Sequence, residues 1–391
     1  MIKVDARVIL DSRKEKTIEV SCKNDLGIFS ASAPSGKSKG KFEKPAYINS
    51  VEQDIETIKN FSEKISELKM DKFADLLRLE DLIKGKIGAN SLYALEISLL
   101  KAIAPEQGKE LWQVINEKAS LFPKPLGNCI GGGLHSKGKK PDFQEFLVMP
   151  RAGKFADNVF LMNKAWKIAG EILDSRNAKS GLNDENAWQT SLSNEEVMQI
   201  MDNLRFNLEE ESEEKIGVGV DMASSTFYVK AGKFYHFENM AQLLQKDEQI
   251  AYLSRLIENF NIDYVEDPLQ EDDFLGFNEL NIRNKECLVC GDDLIVSQVE
   301  RLKEAIKNKS VNCIIVKPNQ SGSLIETVKL VNLARKNKIK TVFSHRSGET
   351  LDYALADLAF ALQTDFIKTG IKGREREIKL NRMIQIERSF E

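Results

Sequence analysis

Three consecutive pieces, "VNCIIVKPN" (311–319), "SLIETVKLVNLARKNK" (323–338) and "TVFSHRSG" (341–348), decide the fold. The outer two are short β-branched runs that stop in polar groups, and the middle one spaces its apolar residues by three and four. That is strand, helix, strand. The unit recurs on both sides. "KIGVGVD" (215–221), "NIDYVED" (261–267), "ECLVCGDD" (286–293) and "DFIKTG" (365–370) read as further strands, and "SQVERLKEAIKNK" (297–309) and "TLDYALADLAFALQ" (350–363) as further helices. From Glu266 the strand ends step to Asp292, Lys317, His345 and Lys368 by 26, 25, 28 and 23 residues. The longer step from Asp221 to Glu266 leaves room for an extra hairpin. Strands and helices alternating at this period predict a parallel sheet, and enough of them close into a (β/α)8 barrel.

The chain before the repeat is organised differently. "KVDARVIL" (3–10), "TIEVSCKN" (17–24) and "GIFSASAP" (27–34) alternate as a β-meander, with Asp25 and Gly27 as turn residues. Residues 51–68 and 90–104 then change to helical spacing. With 391 residues, two domains are expected. They are a small α+β domain over 1–120 and a barrel over 121–391, the joint falling near "LFPKPLGN" (121–128).

Composition excludes several classes. The 56 basic and 60 acidic residues are intermixed for a net charge of −4, so no basic footprint for nucleic acid exists. No apolar stretch approaches a membrane span, and the charged, alternating start does not read as a signal peptide. Five cysteines, sparse and odd in number, fit a reducing, cytoplasmic setting. Cys287 and Cys290 form a C-x-x-C, but inside a strand reading as buried, with no second pair nearby. "GKS" at 36–38 suggests a P-loop, yet the first glycine that motif requires would fall on Ala31. The segment "APSGKSKG" (33–40) reads instead as a lid from the small domain.

In a parallel barrel the chemistry collects at the C-terminal strand ends. Here those ends carry Asp221, Glu266, Asp292, Lys317, His345-Arg346-Ser347 and Lys368. Three carboxylates in one pocket repel and raise one another's pKa. A hard divalent cation, Mg²⁺ or Mn²⁺, relieves this with oxygen ligands. A lysine beside such a cation is pushed towards the neutral amine and can act as a base. Metal plus lysine base suits removal of a proton next to a carboxylate, and Arg346 with Ser347 suits a phosphate.

The motifs "SHRSGET", "FIKTG", "YVEDP", "GDDL", "VKPNQSG", "GVDMASSTFY", "ARVILDSR" and "APSGKSKG", which stand along the chain in the right order, resemble the enolase (phosphopyruvate hydratase) family nearly end to end. The resemblance implies an enolase-type (β/α)8 barrel that opens with two antiparallel strands, carrying a smaller N-terminal α+β domain. It implies reversible dehydration of 2-phosphoglycerate to phosphoenolpyruvate, with two Mg²⁺ per site, and a homodimer or higher homo-oligomer through the small domain. By position it implies Asp221, Glu266 and Asp292 as metal ligands, with Ser38 helping to hold the second ion. Lys317 would be the base and Glu185 the acid, with Glu145 as its partner. Lys368 would offset the substrate carboxylate, with Gln144 beside it; Arg346 and Ser347 would bind phosphate, with His345 next to the reacting end. His135 would close over the substrate on a loop. Burial and Glu145 are expected to raise the pKa of Glu185. The chain departs from the family at Asn186 and Ala187, where two glycines are usual, and at residues 14–16, where Gly-Asn-Pro is usual. Loss of the glycines is expected to stiffen the turn after Glu185 or to forbid a positive φ there. Two alternatives are a superfamily lyase acting on another phosphorylated or α-hydroxy acid and a non-catalytic, enolase-like binding protein.

Overall fold

The computed structural model describes residues 2–37 and 41–391. Strands β1 (Lys3–Leu10), β2 (Lys16–Asn24) and β3 (Gly27–Ser32) form an antiparallel sheet in meander order. Helices α1 (Val51–Ser66), α2 (Leu76–Ile83), α3 (Ala89–Glu106) and α4 (Leu111–Asn116) complete the small domain. Alternate residues of β1 and β2, among them Val4, Ala6, Ile18, Val20 and Cys22, face inward at period two. Helix α3 is buried from Ala89 to Ala104, on every face. Its sequence, apolar nearly all round, is what a central helix requires.

The second domain starts with β4 (Lys124–Gly131) and β5 (Glu145–Pro150), then α5 (Phe155–Ser175), the hairpin β6 (Lys179–Leu182) and β7 (Trp188–Thr190), and α6 (Asn194–Ser212). After β8 (Ile216–Asp221) come three short strands, β9 (Tyr228–Val229), β10 (Phe234–Phe237) and β11 (Gln242–Gln245), which form a separate sheet. They fill the long step that the sequence spacing left open. The regular part follows: α7 (Lys246–Phe260), β12 (Tyr264–Glu266), α8 (Phe274–Arg283), β13 (Leu288–Gly291), α9 (Val299–Asn308) and β14 (Cys313–Val316). It ends with α10 (Pro318–Ser321), α11 (Leu324–Lys336), β15 (Lys340–Ser344), α12 (Ala354–Ala361), β16 (Phe366–Lys368) and α13 (Arg374–Arg388).

Strands β4, β5, β8, β12, β13, β14, β15 and β16 close into a barrel through the β16–β4 pairing. Only β5 runs against its neighbours, antiparallel to both β4 and β8. This reversal matters for the site. It puts the first residue of β5, Glu145, on the rim that the other strands reach with their last residues, and Glu145 lies in register with Asp221. The barrel centre is packed by Leu126, Leu147, Met149, Tyr264, Cys290, Cys313, Ile315 and Val342. All five cysteines are free and buried. Among the described residues no helix is long and apolar enough to cross a membrane.

The two domains are joined at the barrel mouth. Ser35 and Gly348 exchange backbone hydrogen bonds of 2.7 and 2.8 Å. A Cβ on Gly348 would lie 2.1 Å from Asp11 Oδ2, so only glycine lets the chains approach this closely. Further out, Glu96 of α3 accepts a 2.9 Å bond from the Leu324 amide that starts α11. Glu96 is fully buried; burial, then the neighbouring Glu80 carboxylate, pushes its pKa well above the usual carboxylate range. A carboxyl with a raised folded pKa binds more protons folded than unfolded, so its presence costs stability as pH rises above the ordinary glutamate value. Glu96→Gln keeps the shape and removes this titration. It should therefore stabilise the protein at neutral pH, by a margin that grows with pH up to the folded pKa. Urea denaturation at several pH values checks this, and a margin that shrinks with pH would contradict it.

Candidate active site

The strand ends meet in one cavity. Lys317, Lys368, His345, Arg346, Ser347, Asp221 and Asp292 line it from the barrel strands. His135, Gln144, Glu145 and Glu185 line it from the loops around β4, β5 and β7, and Lys37 lies over it from the small domain. Glu266 lies beneath the lining, 1% exposed. Ser38, the ligand proposed for a second metal, falls outside the described residues.

Register builds the acidic row. Glu145 pairs with Asp221 and Asp221 with Glu266, on three adjacent strands. Strands about 4.8 Å apart would hold three charges in mutual repulsion. Lys368 answers this from β16. Its Nζ lies 3.1 Å from Glu145 Oε2, 3.0 Å from Asp221 Oδ2 and 2.9 Å from Glu266 Oε2. Glu266 also accepts a 2.6 Å bond from the Tyr264 hydroxyl below it. Burial, then Asp221, pushes Glu266 up to about 8 despite Lys368. Burial also lowers Lys368, but the three carboxylates outweigh it and hold this ammonium well above the ordinary lysine value.

Lys317 pairs with Asp292 Oδ2. Burial is the largest influence and pulls its pKa down, yet Asp292 and Glu266 together outweigh burial and Arg346 and raise it. The downward push expected at this lysine is therefore not supplied by the protein's own charges. Asp267 anchors the next turn: its carboxylate accepts from the amides of Asp292 (2.9 Å) and Asp293 (2.7 Å), with Asp267 itself at φ +42°. One oxygen from each of Asp267, Asp292 and Asp293 lies within 4.8 Å of the others. Asp292 Oδ1 is buried with no hydrogen-bond partner among the described residues. This group shares only Asp292 with the expected set of Asp221, Glu266 and Asp292; its oxygen-only donors, with an unpartnered buried oxygen, fit a hard divalent cation.

His135 and Glu185 form a second group with Glu145. His135 Nδ1 lies 3.4 Å from Glu185 Oε1 and 3.9 Å from Asp184 Oδ1. Burial lowers the His135 pKa, but Glu185 and then Asp184 turn the net shift upward. The expectation that Glu185 is raised is overturned. Burial does raise it, but His135 first, with Arg376 adding, holds it well below the carboxylate range. The raised member of the pair is Glu145, by burial first, with Lys368 opposing and Glu185 adding. Burial is common to both, so the difference in direction comes from the neighbours.

The turn after Glu185 also corrects an expectation. Asn186 adopts φ +62°, the conformation that loss of glycine was expected to forbid. Asparagine tolerates this region better than other side-chain-bearing residues. The turn is tied down as well: Asn183 Oδ1 accepts from Glu185 and Ala187 amides at 2.9 Å each, and Trp166 Nε1 donates to Asn186 O at 2.9 Å. Lys14, in the other departure from the family, likewise takes φ +64°.

Sequence reasoning missed the groups that hold the site from afar. Arg346 is gripped by Glu43 of the small domain at 2.8 and 3.1 Å. Ser347 Oγ accepts from Arg13 Nη1 (2.9 Å) and the Lys37 amide (2.8 Å). Lys37 Nζ reaches Leu134 O and Asp184 Oδ2 at 2.9 Å each, so this one lysine of the segment 33–40 links the small domain to the loops of the barrel mouth. Gln144 Nε2 lies 3.4 Å from Asp221 Oδ2. Nothing in composition or spacing marks Glu43 or Arg13; each is defined by a partner hundreds of residues away.

A barrel whose rim gathers carboxylates, two lysines and an Arg-Ser turn defines a class: metal-assisted enzymes that move a proton next to a carboxylate. Family models narrow it. "Enolase, N-terminal domain" matches residues 1–115 and "Enolase, C-terminal TIM barrel domain" matches residues 119–391. The chain is 38% identical to the enolase of Methanocorpusculum labreanum, over 98% of each chain. It is 38% identical to that of Natronomonas pharaonis, over 98% of each, and 35% identical to that of Archaeoglobus fulgidus, over 98% of this chain and 96% of the relative. The chain belongs to the enolase family.

Lys368 holds three buried carboxylates apart from repulsion, so Lys368→Met should destabilise the metal-free protein by about 3–5 kcal/mol. The loss should grow as pH rises and the carboxylates ionise. Urea denaturation with chelator present measures it; a loss under about 1 kcal/mol would show that the row does not depend on this ammonium.

Proposed function

We infer that the rim residues divide between them the work of a phosphopyruvate hydratase, the hydro-lyase of this family, which interconverts 2-phosphoglycerate and phosphoenolpyruvate in glycolysis and gluconeogenesis. Lys317 takes the C2 proton. Glu185 protonates the departing 3-hydroxyl, with Glu145 and His135 holding the proton in the free protein. Lys368 faces the substrate carboxylate beside Gln144, and Arg346 and Ser347 bind phosphate next to His345. The observation that carries this division is the pairing of Lys317 with Asp292 in the cavity that Glu185 and His135 also line.

The family requires a divalent metal. Asp221, Glu266 and Asp292 would hold Mg²⁺, with Mn²⁺ as substitute, and Ser38 would help to hold a second ion. When bound, the cation offsets the negative charge that builds on the substrate carboxylate as C2 loses its proton. A lysine base with one or two Mg²⁺ ions is the reference pattern of enolase-superfamily sites, so that pairing is taken over rather than derived from these distances. We also propose a homodimer through the small domain, which the exposed Leu10, Leu26 and Ile28 on the meander support. Five buried free thiols support a reducing, cytoplasmic setting.

Purified protein given 2-phosphoglycerate and Mg²⁺ should produce the ultraviolet absorbance of phosphoenolpyruvate, and chelator should stop it. Lys317→Ala should lower both turnover and C2 proton exchange with solvent by about 10²–10⁴-fold, the usual share of a positioned base. Exchange at the wild-type rate in that variant would remove Lys317 from the role. Absence of turnover with Mg²⁺ would leave the family's reaction unsupported for this chain.

A further inference from the structure

Arg376 is a buried cation outside the mechanism. Arg376, two residues into α13 and 1% exposed, points its guanidinium at the back of the His345-Arg346-Ser347 turn. Nη1 lies 2.8 Å from His345 Nδ1 and donates to Arg346 O at 2.7 Å, and Nη2 donates to Ser347 O at 2.8 Å. One side chain thus contacts all three consecutive residues of the turn. Gly370, at φ +74°, packs beside both groups: a Cβ there would lie 3.4 Å from Arg376 Cγ, Arg376 Cδ and His345 Cε1. A guanidinium has donors and no acceptor. His345 Nδ1 must therefore be the acceptor, and the proton of the neutral ring sits on Nε2.

We propose that Arg376 is the positioning residue of this turn: it selects the Nε2–H tautomer of His345 and fixes the backbone that presents Arg346 and Ser347 to the substrate phosphate. The second half rests on the phosphate reading given above; the first half does not. Charge matters as well as contact. The bonds of the two Nη atoms go to neutral acceptors, so the full positive charge of Arg376 stays behind the turn that receives an anion. His345 is held neutral by the same arrangement: burial, then Arg376, lowers its pKa well below the ordinary value. On the other side Glu185 opposes and Lys368 and Lys317 reinforce that shift.

The chain has 3 histidines, so ¹⁵N-histidine labelling of the whole, substrate-free protein gives a readable imidazole spectrum. His345 is assigned by the signals lost in His345→Asn. The expected result is an unprotonated Nδ1 and a protonated Nε2 that do not titrate across neutral pH. A protonated Nδ1, or a mixture of tautomers, would overturn the proposal. Arg376→Gln should bring such a mixture and raise KM for 2-phosphoglycerate by about 10–100-fold, the scale of lost hydrogen bonds to a charged group. Arg376→Lys, which keeps the cation, should recover part of that loss. A folded Arg376→Gln variant with unchanged tautomer and KM would reduce Arg376 to a helix anchor. Should Arg376→Gln fail to fold, the wild-type spectrum and Arg376→Lys carry the test. The expected spectrum in a protein that does not turn over 2-phosphoglycerate would overturn the phosphate reading and leave the tautomer assignment standing.

Discussion

The ammonium of Lys368 is the contact on which the rest of the site depends. Strand register alone would place Glu145, Asp221 and Glu266 side by side at sheet spacing, all nearly or fully buried. A low-dielectric interior makes such a row untenable without a cation. Lys368 reaches the three from β16, on the far side of β4, so the row is stable only in a closed barrel. Closure and charge balance are one condition here. A divalent cation among the same carboxylates would act in the same sense, adding positive charge where the strands have collected negative charge.

The small domain is part of the site and not a neighbour of it. Its first loop brings Asp11 and Arg13 to the 347–348 turn, its second brings Ser35 and Lys37 across the mouth, and Glu43 grips Arg346. Asp11 shows how tightly this is built: one carboxylate accepts from the amides of Arg13 and Glu15 and also from the Ser35 hydroxyl. Movement of the small domain would therefore shift Arg346 and Ser347 directly. The position of the 346–347 turn and that of the small domain are linked through contacts of hydrogen-bond length.

The two buried glutamates of this cavity are told apart by their immediate neighbours. Glu145 and Glu185 are both buried, so burial raises both. They diverge because His135 and Arg376 stand by Glu185, whereas Glu145 stands in a row of carboxylates with a single shared lysine. Pairs of titratable groups pushed apart in this way mark where protons are stored and where they are delivered.

The amino-acid sequence by itself determined the barrel, the meander and the rim residues that end parallel strands. Those features are local: a period of about 25 residues, apolar runs that stop at a charged group, and the rule that parallel barrels work at their C-terminal ends. Glu145 was legible only through likeness to a family, because β5 runs backwards and presents its first residue where the others present their last. The turn at Asn186 was misread because the side chain was judged by its difference from glycine, not by its own tolerance of a positive φ. Tertiary structure alone decided that Glu145 and Glu185 shift in opposite directions, that Lys317 pairs with Asp292, and that Glu43, Arg13 and Arg376 hold the 345–347 turn. Each of those depends on charges brought together from distant parts of the chain, and a Coulomb interaction or a hydrogen bond is fixed by ångströms in space, which spacing along the sequence does not record.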